Sequence, residues 1–291
     1  MTPRFDLQSH SVHSDGQLEA AEVVAAAAAA GIEVLALSDH DTVDGVSEAI
    51  AAGREHGVQV VPAIEISALD PEGEDLHILG YGIDHEDAGF AVALERFRAD
   101  RGARADRMVA ALRGCGWSLD TAPLEARRAA GKPIGRPHLA EAVLAHADNA
   151  ERLAAEGLEN SSDVLVAYLL PGTPAFRARS VPTVADAVTA IHRAGGLAVW
   201  AHPFWDVDSA DEVVATLERF AALGMDGVEA FYITFDEPQT RLLATTAKKL
   251  GMLTTGSADF HGPDHDRFHT FGAFDAFGLV PDVERVLALG L

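Results

Sequence analysis

The sequence predicts an α/β protein built on a parallel sheet, open or closed into a barrel, with a helical segment inserted into it. Three observations predict this. A helix, glycine, strand pattern recurs along the chain; the strand-like runs vanish over a middle stretch; and His, Asp or Glu residues repeatedly fall just past the strand-like runs.

The 291 residues are 48% hydrophobic and 23% charged, a balance that supports a large buried core and excludes a disordered chain. With 45 acidic against 22 basic residues, the formal charge of −23 excludes long duplex nucleic acid and anionic membrane surfaces as partners of the whole molecule. The single cysteine, Cys115, leaves no intrachain disulfide to form; flanked by Gly114 and Gly116, it reads as a packing residue. The first residues lack the apolar run of a signal peptide, and no stretch offers ~18 consecutive apolar residues, so a cytoplasmic location is expected.

In chain order, residues 4–7 form the first strand candidate and residues 17–30 an Ala-rich helix ending at Gly31. Residues 32–37 are the next strand, followed at once by Ser38-Asp39-His40-Asp41. Gly57 precedes the run 58–61, with Glu65 a few residues on, and residues 75–81 make a strand containing His77. After the middle stretch the pattern returns three times: 197–201 followed by His202-Pro203, 227–230 containing Glu229, and 252–255 followed by Asp259-Phe260-His261. The glycines suit the left-handed position that ends a helix, and short apolar runs after them suit strands buried on both faces. Ionisable groups at the C-terminal ends of such strands are where barrel enzymes keep their sites.

The interruption covers residues 89–182, read as an inserted helical subdomain with helices over 93–114, 136–146 and 161–170; residues 1–88 and 183–291 then form the main domain. From Glu95 to Arg136 nine arginines and Lys132 face only five acids, against the trend of the chain. Arg101, Arg104 and Arg107 are three apart and share one side of a helix, which is either a solvated face or a guanidinium-lined phosphate contact.

The densest constellation is Asp6-Leu7-Gln8-Ser9-His10-Ser11-Val12-His13-Ser14-Asp15-Gly16. In an extended chain Gln8 and His10 project to the same side, a spacing that can chelate one ion and equally one that can simply lead into a helix cap. Buried charge after an apolar strand is tolerated mainly when paired or bound to metal, which draws attention to Asp39, His40 and Asp41, to Glu65, to His77 and to His202. Singly, each could be a satisfied core residue; sharing one topological edge makes a common site the stronger reading.

In order, the S-x-x-S-D-G loop, Leu37-Ser38-Asp39-His40-Asp41-Thr42, Glu65 in Pro62-Ala63-Ile64-Glu65-Ile66-Ser67, Leu76-His77-Ile78-Leu79-Gly80-Tyr81, Ala201-His202-Pro203 and Ser257-Ala258-Asp259-Phe260-His261-Gly262 resemble the PHP (polymerase and histidinol phosphatase) superfamily, with the nearest likeness to its stand-alone nucleotide phosphatases and phosphoesterases with a helical insertion. The resemblance implies a distorted (β/α)7 barrel holding two or three divalent ions, manganese, zinc or iron, and hydrolysis of a phosphomonoester by metal-activated water with no protein nucleophile. It implies one ion on His10, Glu65 and Asp259, a second bridged by Glu65 to His77 and His202, and a third on Asp15, His40 and His261. The implied substrate is small and phosphorylated: a nucleotide such as AMP or a 3′,5′-bisphosphate, or a short RNA end. The family's R-x-H offers Arg136 and His138 as phosphate contacts, with an ordinary helix start the alternative. Glu229 and Tyr232 are candidates for touching ribose or base, and Arg101 and Arg104 for a phosphate.

One departure stands out. The family begins its first motif with H-x-H, whereas this chain has Gln8 where the first imidazole is expected, so one ion should be bound more weakly or be absent. Two rivals remain. A metal amidohydrolase or deaminase often needs a lysine between two metals, and Lys132, Lys248 and Lys249 stand at no convincing strand end. A non-catalytic, metal-binding regulatory module would bind ligand without turnover.

Overall fold

The computed structural model describes residues 4–70, 75–129, 134–178 and 180–290; Lys132, counted above among the basic residues, lies outside them. Two compact units result, Met1–Leu94 with Pro182–Leu291, and Glu95–Val181. No described helix is long and apolar enough to cross a membrane.

The first unit is a mixed seven-stranded sheet nearly closed into a barrel, with strands in sequence order. These are β1 (Phe5–Asp6), β2 (Val34–Leu37), β3 (Gln59–Leu69), β4 (Asp75–Tyr81), β5 (Leu197–Trp200), β6 (Gly227–Tyr232) and β7 (Leu253–Ser257). The ends of the sheet approach each other where Leu7 N donates to Gly256 O (3.2 Å) and His10 N to Phe260 O (2.8 Å). Helices α1 (Ala20–Ala29) and α2 (Val46–His56) connect the first strands, and α2 ends on Gly57 at φ 72°, the left-handed residue the sequence predicted.

Alternation along the strands sorts the core into two layers. Val34 and Ala36 join Phe5, Leu7, Val61, Ala63, Leu79 and Tyr81 in one buried cluster, while Leu35 and Leu37 join Val60 and helix residues Val23, Val24 and Ile50 in another. Truncating such a side chain to alanine costs about 2–5 kcal/mol. The same period carries Val61 and Ala63 on to Glu65, and Tyr81 and Leu79 back to His77, so both ionisable side chains inherit the face of their apolar neighbours.

The sheet differs from the expected parallel one at β4, which runs antiparallel to both β3 and β5. A short link from Leu69 to Asp75 joins β3 to β4, and an antiparallel pair needs no crossover helix. His77 therefore lies near the start of its strand, opposite Ser67, yet at the rim where the parallel strands end. Strand β3 is also longer than the run 58–61 read from the sequence, extending through Glu65 to Leu69.

Helix α3 (Ala88–Gly114) leads into the second unit, which also contains α4 (Ala122–Ala129), α5 (Arg136–Leu144), α6 (Ala150–Glu156) and α7 (Ser161–Val164), the last continuing as a π-helical turn over Leu165–Leu169. Its core gathers Met108, Leu112, Trp117, Leu139, Val143, Val164 and Leu169, with Cys115 half-buried against it. The buried Asn149 is satisfied: its amide donates to Ser118 O and Val143 O and its carbonyl accepts from Ser118 N.

Back in the first unit, α8 (Val184–Arg193) begins with a reciprocal Thr183–Asp186 cap. Then follow α9 (Pro203–Asp206), α10 (Ala210–Ala222), α11 (Glu237–Leu250) and α12 (Glu284–Leu287).

Candidate metal centre

The rim of the barrel brings together His10, Asp15, His40, Glu65, His77, His202, Asp259 and His261. Glu65, fully buried, is the hub. Its Oε1 lies 2.7 Å from His77 Nδ1 and 3.1 Å from His202 Nε2, and its Oε2 lies 3.1 Å from His10 Nε2 and 3.8 Å from His40 Nδ1. Asp259 Oδ1 stands 3.0 Å from the same His10 nitrogen. Asp15 reaches His40 Nε2 at 3.6 Å and His261 Nε2 at 3.5 Å. The His10 ring lies between those of His40 and His261, with centroids 4.5 and 4.3 Å away.

Three groups offer atoms close enough to hold one ion each: His10, Glu65 and Asp259; His40, Glu65 and His77; and His10, Asp15, His40 and His261. The first matches the expected trio. The middle group has His40 where His202 was expected, although His202 still touches Glu65, and the last adds His10.

The donor set fits divalent cations on a specific observation. Buried His10 Nε2, His40 Nδ1 and Asp259 Oδ1 lack a hydrogen-bond partner of proper geometry despite their closeness to other polar atoms. Such orphans are costly in an interior, and lone pairs converging on a shared point are what a cation satisfies. Electrostatics agree. Burial pushes His40 down to about 4, so its imidazole is neutral near pH 7 and has one nitrogen lone pair to give. Burial also disfavours a charged His10, but Asp259 and Glu65 outweigh it and raise its pKa well above the ordinary value. The negative field that holds a proton there can hold a metal ion instead.

Local backbone explains why the groups meet. Asp41, His202 and Asp259 have φ of 56°, 28° and 54°, the left-handed region that costs a non-glycine residue about 1–3 kcal/mol and clusters at functional sites. Gly16 is required by close approach: a Cβ there would collide with His10 O. The Asp residues flanking His40 act as anchors. Asp39 accepts from Ser11 N (2.8 Å), Ser11 Oγ (2.7 Å) and Ser14 Oγ (2.6 Å), fixing the loop that carries Asp15, while Asp41 accepts from Ser67 N (3.0 Å) and Ser67 Oγ (3.1 Å).

Gln8 is buried beside the hub. Its Nε2 donates to Glu65 Oε2 (2.8 Å), and its Oε1 accepts from Ser257 Oγ (3.3 Å). A carboxylate can only accept, so the amide nitrogen must face Glu65 and the carbonyl must face Ser257. Gln8 thus braces Glu65 and turns its only ligating oxygen toward Ser257.

Glu229 and Tyr232 differ from the expectation that they touch a ligand. Both are buried, at 0% and 2% exposure, so neither presents a surface to a ribose or base. Glu229 accepts from His202 N (2.9 Å) and Ser257 Oγ (2.6 Å), and burial foremost pushes it up to about 8. Tyr232 donates its hydroxyl to Asp259 Oδ2 (2.7 Å), leaving Oδ1 for the cluster.

The remaining candidates belong to the second unit. Arg136 opens α5, and His138 Nδ1 accepts from Gly135 N (3.0 Å), the helix-start role. Arg104 donates to Arg177 O (2.8 Å) and lies over the Phe176 ring; Arg101 is on the same helix. Sequence reasoning missed Asp206, whose Oδ2 is 3.9 Å from His202 Nδ1; its signal was the four-residue spacing from His202 on a helical turn.

Comparison with known proteins places these residues in context. Residues 6–151, half of the chain, match the PHP domain family. The chain is 32% identical to a 5′-3′ exoribonuclease of Haemophilus influenzae over 90% of its length and 92% of that protein. It is 31% identical to a 3′,5′-nucleoside bisphosphate phosphatase of Chromobacterium violaceum, covering 89% of this chain and 87% of the other. Among solved structures, a protein from Bifidobacterium adolescentis described as a metal-dependent phosphoesterase superposes with a TM-score of 0.73 at 27% identity, over 100% of this chain and 98% of that one.

Proposed function

The chain belongs to the PHP domain family, and from that premise we propose that it is a metal-dependent phosphomonoesterase acting on a small nucleotide, AMP or a 3′,5′-bisphosphate, or on a short RNA end. The observation that carries this reading is that three ligand groups overlap, two of them sharing Glu65 and two sharing His10, so that cations bound there would be concentrated at one place on the rim. The substrate class is drawn from the relatives named as a nucleoside bisphosphate phosphatase and an exoribonuclease.

His10, Glu65 and Asp259 would hold one ion, Glu65, His77 and His202 a second, and Asp15, His40 and His261 a third; manganese, zinc and iron suit this mixture of imidazole and carboxylate. Divalent ions bound there neutralise phosphate charge and supply an acidified water as the attacking group. The chain's own part is positional. Glu65 is held by Gln8, Asp259 by Tyr232 and His202 by Glu229, so the set is preorganised before substrate arrives. No serine or cysteine nucleophile is needed, and Cys115 serves packing in the second unit.

A phosphate-release screen tests the proposal: AMP, a 3′,5′-bisphosphate and a 5′-phosphorylated RNA oligomer, each with manganese, zinc, iron or magnesium. Release from at least one nucleotide, abolished by chelator, is expected. Amide or adenosine hydrolysis without phosphate release would favour the amidohydrolase reading, and metal binding without any turnover the regulatory one.

A further inference from the structure

Of the three tryptophans, Trp117 and Trp200 are buried at 2% and 0% exposure, whereas Trp205 is 49% exposed. An indole ordinarily gains more by burial than any other side chain, so a half-open one that is nonetheless held in place calls for a partner. Trp205 is held firmly. It sits on α9, three residues after His202, with its N–H donated to His202 O (2.9 Å) and its indole Nε1 donating to Thr234 Oγ1 (3.2 Å). Its ring centroid is 5.8 Å from that of Phe268, which in turn lies 5.4 Å from the His261 ring. The Arg267 guanidinium stands 5.4 Å from the Trp205 ring centre.

An aromatic shelf with a cation at its edge thus runs from solvent to His261 at the rim cluster. Arg267 is exposed, so its guanidinium can reach a ligand and supplies local positive charge on a chain of net charge −23. Planar aromatic ligands stack on such surfaces whatever their hydrogen-bonding pattern, and a guanidinium beside the ring adds a cation–π contribution. We propose that Trp205, with Phe268 and Arg267, is the subsite that receives the base of a nucleotide whose phosphate lies at the rim cluster. The inference rests on the phosphomonoesterase reading above and deepens it by assigning base recognition to residues of the first unit. It also replaces Glu229 and Tyr232, which are too deep to meet a base.

The test uses the full chain supplied with manganese and two probes: AMP, which carries base and phosphate, and ribose 5-phosphate, which lacks the base. Because the other two tryptophans are buried, fluorescence changes on titration report chiefly on Trp205. AMP is expected to quench the emission and ribose 5-phosphate to leave it nearly unchanged, with the AMP effect lost in Trp205→Phe. In Trp205→Ala the ratio of KM for AMP to KM for ribose 5-phosphate should rise about tenfold, the size of one base–aromatic stack, with kcat for AMP changed far less. A KM ratio unchanged in Trp205→Ala, or equal quenching by both probes, overturns the subsite. Failure of the wild type to release phosphate from AMP, a 3′,5′-bisphosphate and a 5′-phosphorylated RNA oligomer alike overturns the phosphomonoesterase reading instead, and AMP quenching retained in that case keeps the base subsite standing.

Discussion

The two units bury polar groups differently. In the second unit the core is apolar; its buried Asn149 has all its hydrogen-bonding needs met by Ser118 and Val143, and the indole Nε1 of Trp117 is left without a partner. In the first unit, carboxylates and imidazoles lie buried together, and His10 Nε2, His40 Nδ1 and Asp259 Oδ1 remain without proper partners. A lone indole N–H is isolated in the second unit, whereas in the first the open atoms of several ionisable side chains converge on one place. The contrast separates a part of the molecule selected for packing from one that holds unpaired donors in place for a ligand, at a cost in stability carried by the surrounding core.

The contrast is broken most severely at its hub. Glu65→Gln should lower phosphate release at least about 10³-fold, since it removes charge shared by two of the three ligand groups; initial rates at saturating manganese measure it, and activity within tenfold of wild type would contradict the hub role. Trp117→Ala attacks the other unit. Loss of its core contacts and of the Arg152 guanidinium 4.0 Å above its ring should destabilise that unit by about 3–5 kcal/mol. Denaturant unfolding reads the loss, while manganese affinity of the folded protein should stay within about twofold.

Tyr232→Phe sharpens the contrast more gently. Removing the donor to Asp259 Oδ2 should lower metal affinity or activity about 10–100-fold without unfolding the chain, as outer-shell changes do. Isothermal titration with manganese distinguishes this from a change in packing alone, which would leave the affinity intact. Gln8→His acts in the opposite sense: an imidazole in place of the bracing amide should raise metal occupancy or affinity, and metal analysis showing no gain would refute the reading of Gln8 as a lost ligand. The smallest effect is expected at Cys115→Ala, with kcat/KM unchanged and stability lowered by about 1 kcal/mol; a large loss of activity would revive a covalent mechanism.

Much of this was legible before any coordinates. The glycine after each helix and the apolar run beyond it located the strands, and the ionisable residues following those runs located the rim, because buried charge has few structural uses. Strand direction was not legible: the run containing His77 reads the same in either orientation, and only the short link after Leu69 makes β4 antiparallel. Nor was depth. Glu229 and Tyr232 follow the same local pattern as the rim residues, but their side chains end beneath the cluster and brace it, a difference set by tertiary packing. Trp205 was missed for the converse reason, since nothing in an aromatic residue's identity announces that it stays exposed.

The most direct test of the metal centre is elemental analysis of the full chain after chelation, reloading with manganese, zinc or iron, and removal of free ion. At least two equivalents of one metal per chain are predicted for the wild type, falling below one in Glu65→Gln, with phosphate release restored only on reloading. A wild-type chain that retains no metal, or that hydrolyses its substrate equally well after complete chelation, would contradict the account.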